Sequence, residues 1–155
     1  MKIIIILVLT VIVGKYVYTE FSVAPAATFT STYSSNVWLE GTGSLAAAEL
    51  TAQSDTAPVM VYIYADWCQY CKKFEKEILH NAQFSGALAS LVKVRINPDH
   101  DAGAKAFMQK NNVSGFPTVL VRHHNQTNFR VVPPYVKSGG RWVLSDTDDF
   151  LASLR

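Results

Sequence analysis

Cys68 and Cys71 stand three positions apart and are the only cysteines in the 155-residue chain. Thiols at that spacing can meet within one turn of chain. When one of them is ionised it becomes a nucleophile toward another disulfide, so the chemistry in view is thiol–disulfide exchange. Two other roles compete: a structural disulfide and one half of a metal site. The first is disfavoured because so short a loop constrains the unfolded chain little. The second needs partner ligands, and none of the four histidines has ligand spacing to the cysteines. Two cysteines also exclude a disulfide-stapled scaffold and any four-cysteine site within one chain.

The flanking residues predict how the pair is held. Val59 to Tyr64 is a short apolar run rich in Val, Ile and Tyr, which suits a buried strand. Lys72 to Leu79 carries Phe74, Ile78 and Leu79 at helical spacing, without Gly or Pro, and predicts a helix reaching about His80. Cys68 therefore belongs at the helix N-terminus, where unpaired N–H groups and the positive end of the dipole favour a thiolate. A C-x-x-C pair at a strand-to-helix junction is a redox signature.

Further elements follow from pattern and punctuation. Val37 to Leu39 reads as a short strand, and Ser44 to Gln53 as a helix with Ser44 as N-cap. Asn81 to Ser90 reads as a short helix and Leu91 to Ile96 as a strand. Asp101 to Lys110 reads as a helix burying Ala102, Ala106 and Phe107. After the turn at Gly115-Phe116-Pro117, Thr118 to Val121 is a strand, paired with Phe129 to Val132 across a polar loop that holds His123-His124. Lys137 to Arg141 reads as a loop, and Ser145 with Asp148 as the capping pair of a last helix, Asp146 to Leu154. Strands alternating with helices predict an α/β domain with a central mixed sheet of about four strands. The cysteines then lie at the carboxyl end of a central strand, where open α/β sheets place their sites.

A hydrophobic content of 49%, a charged content of 17% and a net charge of +2 describe one globular domain with an apolar appendage, and give no footprint for nucleic acid. The appendage is residues 1–21. Ile3 to Val13 has Thr10 as its one polar side chain, a length that suits a signal-peptide core; with Lys15 and Tyr16 to Tyr18 added it suits a short membrane anchor. Residues 22–35, rich in Ala, Ser, Thr and Pro, read as a linker, and 36–155 as the catalytic domain. The expected location is outside the cytoplasm, tethered to the inner membrane where the segment is kept.

Tyr64-Ala65-Asp66-Trp67-Cys68-x-x-Cys71-Lys72, the following Phe74-Glu75-Lys76, and Gly115-Phe116-Pro117-Thr118 together resemble the thioredoxin-like superfamily. Within it they look most like the C-terminal periplasmic domain of DsbD-type thiol:disulfide interchange proteins, over roughly Trp38 to Arg155. The resemblance implies a thioredoxin fold and a thiol:disulfide oxidoreductase acting on proteins, as a reductant in preference to an oxidase or isomerase. Cys68 would attack and Cys71 resolve. Pro117 would be cis, with Trp67 and Phe116 beside it facing the substrate, and Gln69 and Tyr70 would tune the potential. No cofactor beyond the Cys68–Cys71 disulfide is implied. Partners would be disulfide-containing or dithiol proteins and a membrane electron-transfer partner. A redox-inert binding module is the reading of another class. Two departures stand out. Tyr62 occupies the position where many members carry a buried Asp, which leaves Glu75, four residues after Cys71, to handle a proton. Pro133 to Trp142 is longer than the family's usual approach to the last helix, and the sequence assigns it no role.

Overall fold

Five apolar residues with nothing polar between them suit a strand covered on both faces, and Val59–Ile63 is that strand, buried throughout. In the computed structural model, which describes residues 37–155, it sits at the centre of a five-stranded sheet. In chain order the strands are β1 (Trp38–Glu40), β2 (Val59–Ile63), β3 (Val92–Ile96), β4 (Thr118–Arg122) and β5 (Arg130–Val132). Their spatial order is β1-β3-β2-β4-β5. β3 runs parallel to both β1 and β2, with Val61 opposite Val94. β4 is antiparallel to β2 and β5, so the sheet is mixed. With the short edge strand read at Val37 to Leu39 included as β1, the sheet has five strands, against a count of about four expected.

Alternation along β2 sends side chains to two cores. Val59, Val61 and Ile63 join Val94, Ile96 and Leu120 on one face, closed by Ala48 and Ala52 of helix α1 (Leu45–Asp55). Met60 and Tyr62 face the other way, toward helix α2 (Gln69–Phe74), and share their core with Cys68, Cys71 and Phe74. A π-helical continuation, Glu75–Leu79, carries α2 on to His80. A 3-10 turn (Ala82–Phe84) and α3 (Ser85–Ala89) follow, then α4 (Ala104–Lys110) after β3. After β5 come two strands outside the main sheet, β6 (Tyr135–Ser138) and β7 (Arg141–Leu144), and finally α5 (Thr147–Ser153).

Several details differ from expectation for physical reasons. The segment read as a loop around Lys137 to Arg141 is the tip of the β6–β7 hairpin, with Tyr135 opposite Leu144 and Ser138 opposite Arg141. Its turn is Gly139-Gly140, at φ +56° and +77°; positive φ at both central residues matches the right-handed twist of a two-residue hairpin. Ser44 makes no capping bond to α1, because a 3-10 turn (Thr42–Ser44) precedes the helix and the Ser44 hydroxyl donates back to the Gly41 carbonyl. Asp146, not Ser145, caps α5: its Oδ1 accepts from the N–H groups of Asp148 and Asp149. Ser145 instead ties the hairpin's ends, its N–H donating to the Pro134 carbonyl and its hydroxyl to that of Pro133. α4 begins at Ala104, so its covered residues are Ala104, Phe107 and Met108, while Ala102 and Ala106 are exposed. The expected signal or anchor segment (1–21) and linker (22–35) lie outside the described residues. Among the described residues no helix is long and apolar enough to cross a membrane.

Candidate active site

Cys68 is the N-cap of α2. Its Sγ accepts the N–H of Cys71 at 3.2 Å, and its carbonyl accepts the N–H of Lys72, opening the helix. The two sulfurs are bonded to each other across a Cα–Cα distance of 5.2 Å. Once the bond is reduced, the same backbone donor faces Cys68, and a hydrogen bond to the charged form favours the thiolate. Cys71 lies one turn deeper at 1% exposure, against 5% for Cys68. Of the two sulfurs, Cys68 is nearer the surface and Cys71 is sealed.

Glu75 begins the π-helical turn, where the N–H of His80 reaches back to the Glu75 carbonyl at 2.8 Å. Its side chain is half-buried, and Oε1 accepts a hydrogen bond from the Tyr62 hydroxyl at 3.0 Å. Burial first, and the Glu75 charge second, push the Tyr62 phenol far above its ordinary range, so at neutral pH it acts only as a neutral donor. The position that the resemblance leaves without an acid thus holds a phenol whose one proton is directed at Glu75.

Trp67 is 65% exposed, yet it is fixed at two points. Its ring stands edge-on to Phe116 with centroids 5.8 Å apart, and its indole N–H donates to Asp99 Oδ2 at 3.0 Å. Asp99 is oriented in turn by its own N–H on Asn97 Oδ1, and the neighbouring His100 reaches Asp66 at 3.1 Å. The loop after β3 therefore holds both residues that precede Cys68. The Phe116–Pro117 peptide bond is cis.

On the other side of the pair, Gln69 is exposed at the first position of α2. Tyr70 packs edge-on against Tyr135 of β6, with centroids 5.1 Å apart, and the Tyr135 hydroxyl donates to the Tyr70 carbonyl at 3.0 Å. A groove of about 390 Å³ runs between these elements, lined among others by Tyr70, Phe116, Pro117, Val131, Tyr135 and Trp142. Trp67, Phe116, Pro117 and Tyr70 are thus brought around the disulfide, while Glu75 lies behind it against Tyr62. Sequence reasoning missed Asp99, Tyr135 and Trp142. Gly-Gly between β-forming residues was the available signal for the hairpin that carries the last two. Among the described residues no three His, Cys, Asp or Glu side chains gather as a metal site would.

Residues 45–139 match the family model of the thioredoxin-like domain. The chain belongs to the thioredoxin-like family. Membership places it among thioredoxin-like disulfide oxidoreductases, and the chain carries a Cys68–Cys71 disulfide. Among curated proteins, the thiol:disulfide interchange protein DsbD of Escherichia coli K12 is 44% identical over 64 residues, covering 41% of this chain and 11% of that protein. This thioredoxin-like chain therefore spans only about a tenth of the length of such relatives. Among solved structures, the C-terminal domain of Neisseria meningitidis DsbD in its reduced form aligns with a TM-score of 0.55 at 18% identity. That alignment covers 76% of this chain and 96% of that one. The oxidised form of the same domain aligns equally. At this identity these two alignments bear on the fold, which they share.

Proposed function

We propose that this protein is a protein-disulfide reductase working outside the cytoplasm, held at the inner membrane through residues 1–21. The observation that carries the reading is the Cys68 sulfur at the N-cap of α2, facing the Cys71 N–H at 3.2 Å. In the reduced protein Cys68, as thiolate, attacks a partner's disulfide; one partner sulfur leaves as a thiolate and a mixed disulfide forms. Cys71 then loses its proton and attacks Cys68. The Cys68–Cys71 bond re-forms, and the partner departs as a dithiol carrying the two electrons. Glu75, oriented by Tyr62, receives the Cys71 proton; Trp67, Phe116 and Pro117 present the surface against which the partner's strand lies; Gln69 and Tyr70 set the potential. Each cycle consumes one dithiol, so an external dithiol donor must restore it. A membrane electron-transfer protein of the kind suggested by the likeness to DsbD fits that need.

The direction of flow is tested by the equilibrium potential of the Cys68–Cys71 couple against glutathione. A value near that of thioredoxin, about −270 mV, supports a reductant; a value near −120 mV, that of the strongest periplasmic oxidants, reverses the assignment. Identity of the partners is tested with Cys71→Ser, which should accumulate mixed disulfides through Cys68, whereas Cys68→Ser should trap none.

A further inference from the structure

The β6–β7 hairpin closes one side of the groove beside the disulfide, and its chemistry is unusual for a wall that receives a peptide. Pro133 and Pro134, where the chain enters the hairpin, line the groove. Neither has an N–H to offer. Their carbonyls are already engaged, one by the hydroxyl and one by the N–H of Ser145. The Tyr135 hydroxyl is likewise spent on the Tyr70 carbonyl. This wall therefore offers a partner's backbone little to pair with. What it offers is apolar surface: Trp142 at 55% exposure, with Val131 and the half-exposed Tyr70 lining the same groove and the buried Tyr135 behind Tyr70. No lining side chain is charged, and the nearest recorded cation is the Lys137 Nζ over the Trp142 ring, 5.4 Å from its centroid. About 390 Å³ lies near the lower end of the range of ligand pockets, roughly 300–1,000 Å³, which is room for a side chain or two and not for a folded element.

The geometry points to a selectivity subsite: the hairpin, through Trp142 held beside Tyr70 and Val131, takes a large apolar or aromatic side chain that flanks the reacting cysteine of the partner. This rests on the disulfide-exchange reading above and adds a substrate class to it. The occupant follows from continuity. Tyr70 lies between the two cysteines and forms part of the groove, so a partner sulfur brought to Cys68 carries its neighbouring residues toward the hairpin. A charged or small neighbour would leave uncharged aromatic surface in water or lose its own hydration there; an aromatic one buries both surfaces.

The test uses the full chain, reduced beforehand and freed of reductant. It is mixed with two peptide disulfides that are identical except that the cysteine is flanked by Trp in one and by Ser in the other. The expected second-order rate constant is about tenfold or more higher for the Trp peptide. That ratio should fall toward one in Trp142→Ala and in Val131→Ser, and persist in Trp142→Phe. It should also persist in Val143→Ala, which alters the same hairpin outside the groove. A ratio near one in the unaltered protein overturns the subsite, as does a ratio unchanged in both Trp142→Ala and Val131→Ser. Reaction with bis(2-hydroxyethyl) disulfide separates the two levels. If that small disulfide reacts while the peptides are not distinguished, only the subsite falls. If nothing reacts, the redox reading falls and takes the subsite with it.

Discussion

The pair formed by Tyr62 and Glu75 makes a prediction whose size can be worked from the structure. Tyr62 is 1% exposed and its ring is held by Trp38, Tyr64 and Phe74 at centroid distances of 6.2, 5.3 and 5.5 Å. Tyr62→Phe keeps those contacts and removes only the hydroxyl. A hydrogen bond to a charged group contributes about 1.5–3 kcal/mol; the half-buried Glu75 can recover part of that from water, leaving a loss of about 1–2 kcal/mol. Glu75→Ala leaves the buried hydroxyl unpaired, at a cost of about 1–3 kcal/mol. In the double variant there is no hydroxyl to strand, so the two losses should not add, and the coupling should be about 1–2 kcal/mol. Urea unfolding of the four oxidised proteins at neutral pH measures it. Additivity within about 0.5 kcal/mol would mean that the hydrogen bond contributes nothing separable, and the claim that Tyr62 positions Glu75 would be withdrawn. The same variants test the proton role. Decay of a pre-formed Cys68 mixed disulfide should slow about tenfold or more in Glu75→Ala and by a smaller factor in Tyr62→Phe, whereas a purely structural pair would leave that rate where it was.

Other consequences can be checked with the same methods. Asp101 works against its own burial, but hydrogen bonds from Thr42 and from the Gly103 N–H outweigh that and hold its carboxyl below the ordinary range. A depressed carboxyl stabilises the fold above the unfolded value, about 3.9, and that contribution is lost as pH falls through the folded value. Asp101→Asn should therefore cost about 1.5 kcal/mol at pH 7, the size of one hydrogen bond to a charged group, with the gap from the unaltered protein closing as pH falls through the depressed folded value. Tyr135 is pushed up to about 12, by burial first and by the Glu77 charge second. A raised phenol stabilises the fold below the unfolded value, about 10, and the contribution is lost as pH rises from there to about 12, so Tyr135→Phe should flatten the alkaline limb of a stability–pH curve. Gly140, at φ +77°, leaves an added side chain strained, and Gly140→Ala should cost about 1–2 kcal/mol, concentrated in faster amide exchange across Tyr135 to Leu144.

What could be read from the chain, and what could not, divides by the range of the forces involved. β2 and the start of α2 were legible because their signals are local: an apolar run without interruption, then a cysteine at a helix entrance. The α5 cap was read one residue early because Ser145 and Asp146 are both good caps, and the choice between them was made elsewhere, by the Pro133 and Pro134 carbonyls that Ser145 satisfies. The buried face of α4 was misplaced because the pattern was counted from Asp101, whose carboxylate binds Thr42 and Gly103 in a turn and delays the helix to Ala104. The hairpin carries little alternation to find: only Tyr135 is buried, so its strands look like a loop even though Gly139-Gly140 announces the turn. The Tyr62–Glu75 contact, between residues 13 apart on a strand and a helix, has no local signature at all.

Each of the two departures from the family pattern brings a tyrosine, Tyr62 or Tyr135, into the core that holds the cysteines. At Tyr62 a buried acid is replaced by a group that stays neutral and donates, so the charge is carried by a half-buried Glu75 on the neighbouring helix, where water can share the cost of holding it. At Pro133 to Trp142, the residues that line the groove are proline and aromatic, with the Lys137 Nζ over the Trp142 ring at 5.4 Å from its centroid and Arg141 exposed at the hairpin tip. The polar contact this structure gives the Cys68 sulfur is the Cys71 N–H at the α2 N-terminus, 3.2 Å away, and its share in stabilising a thiolate can be measured. Two substitutions at the first position of α2, Gln69→Pro and Gln69→Gly, measure that share by acting on the turn that aims the donor. Proline at this first helical position suits the turn and should leave the alkylation rate of reduced Cys68 near that of the unaltered protein. Glycine loosens the turn and should slow alkylation at pH 7, as a smaller fraction of Cys68 is ionised. Equal rates in all three proteins would show that the N-cap geometry does not control the sulfur.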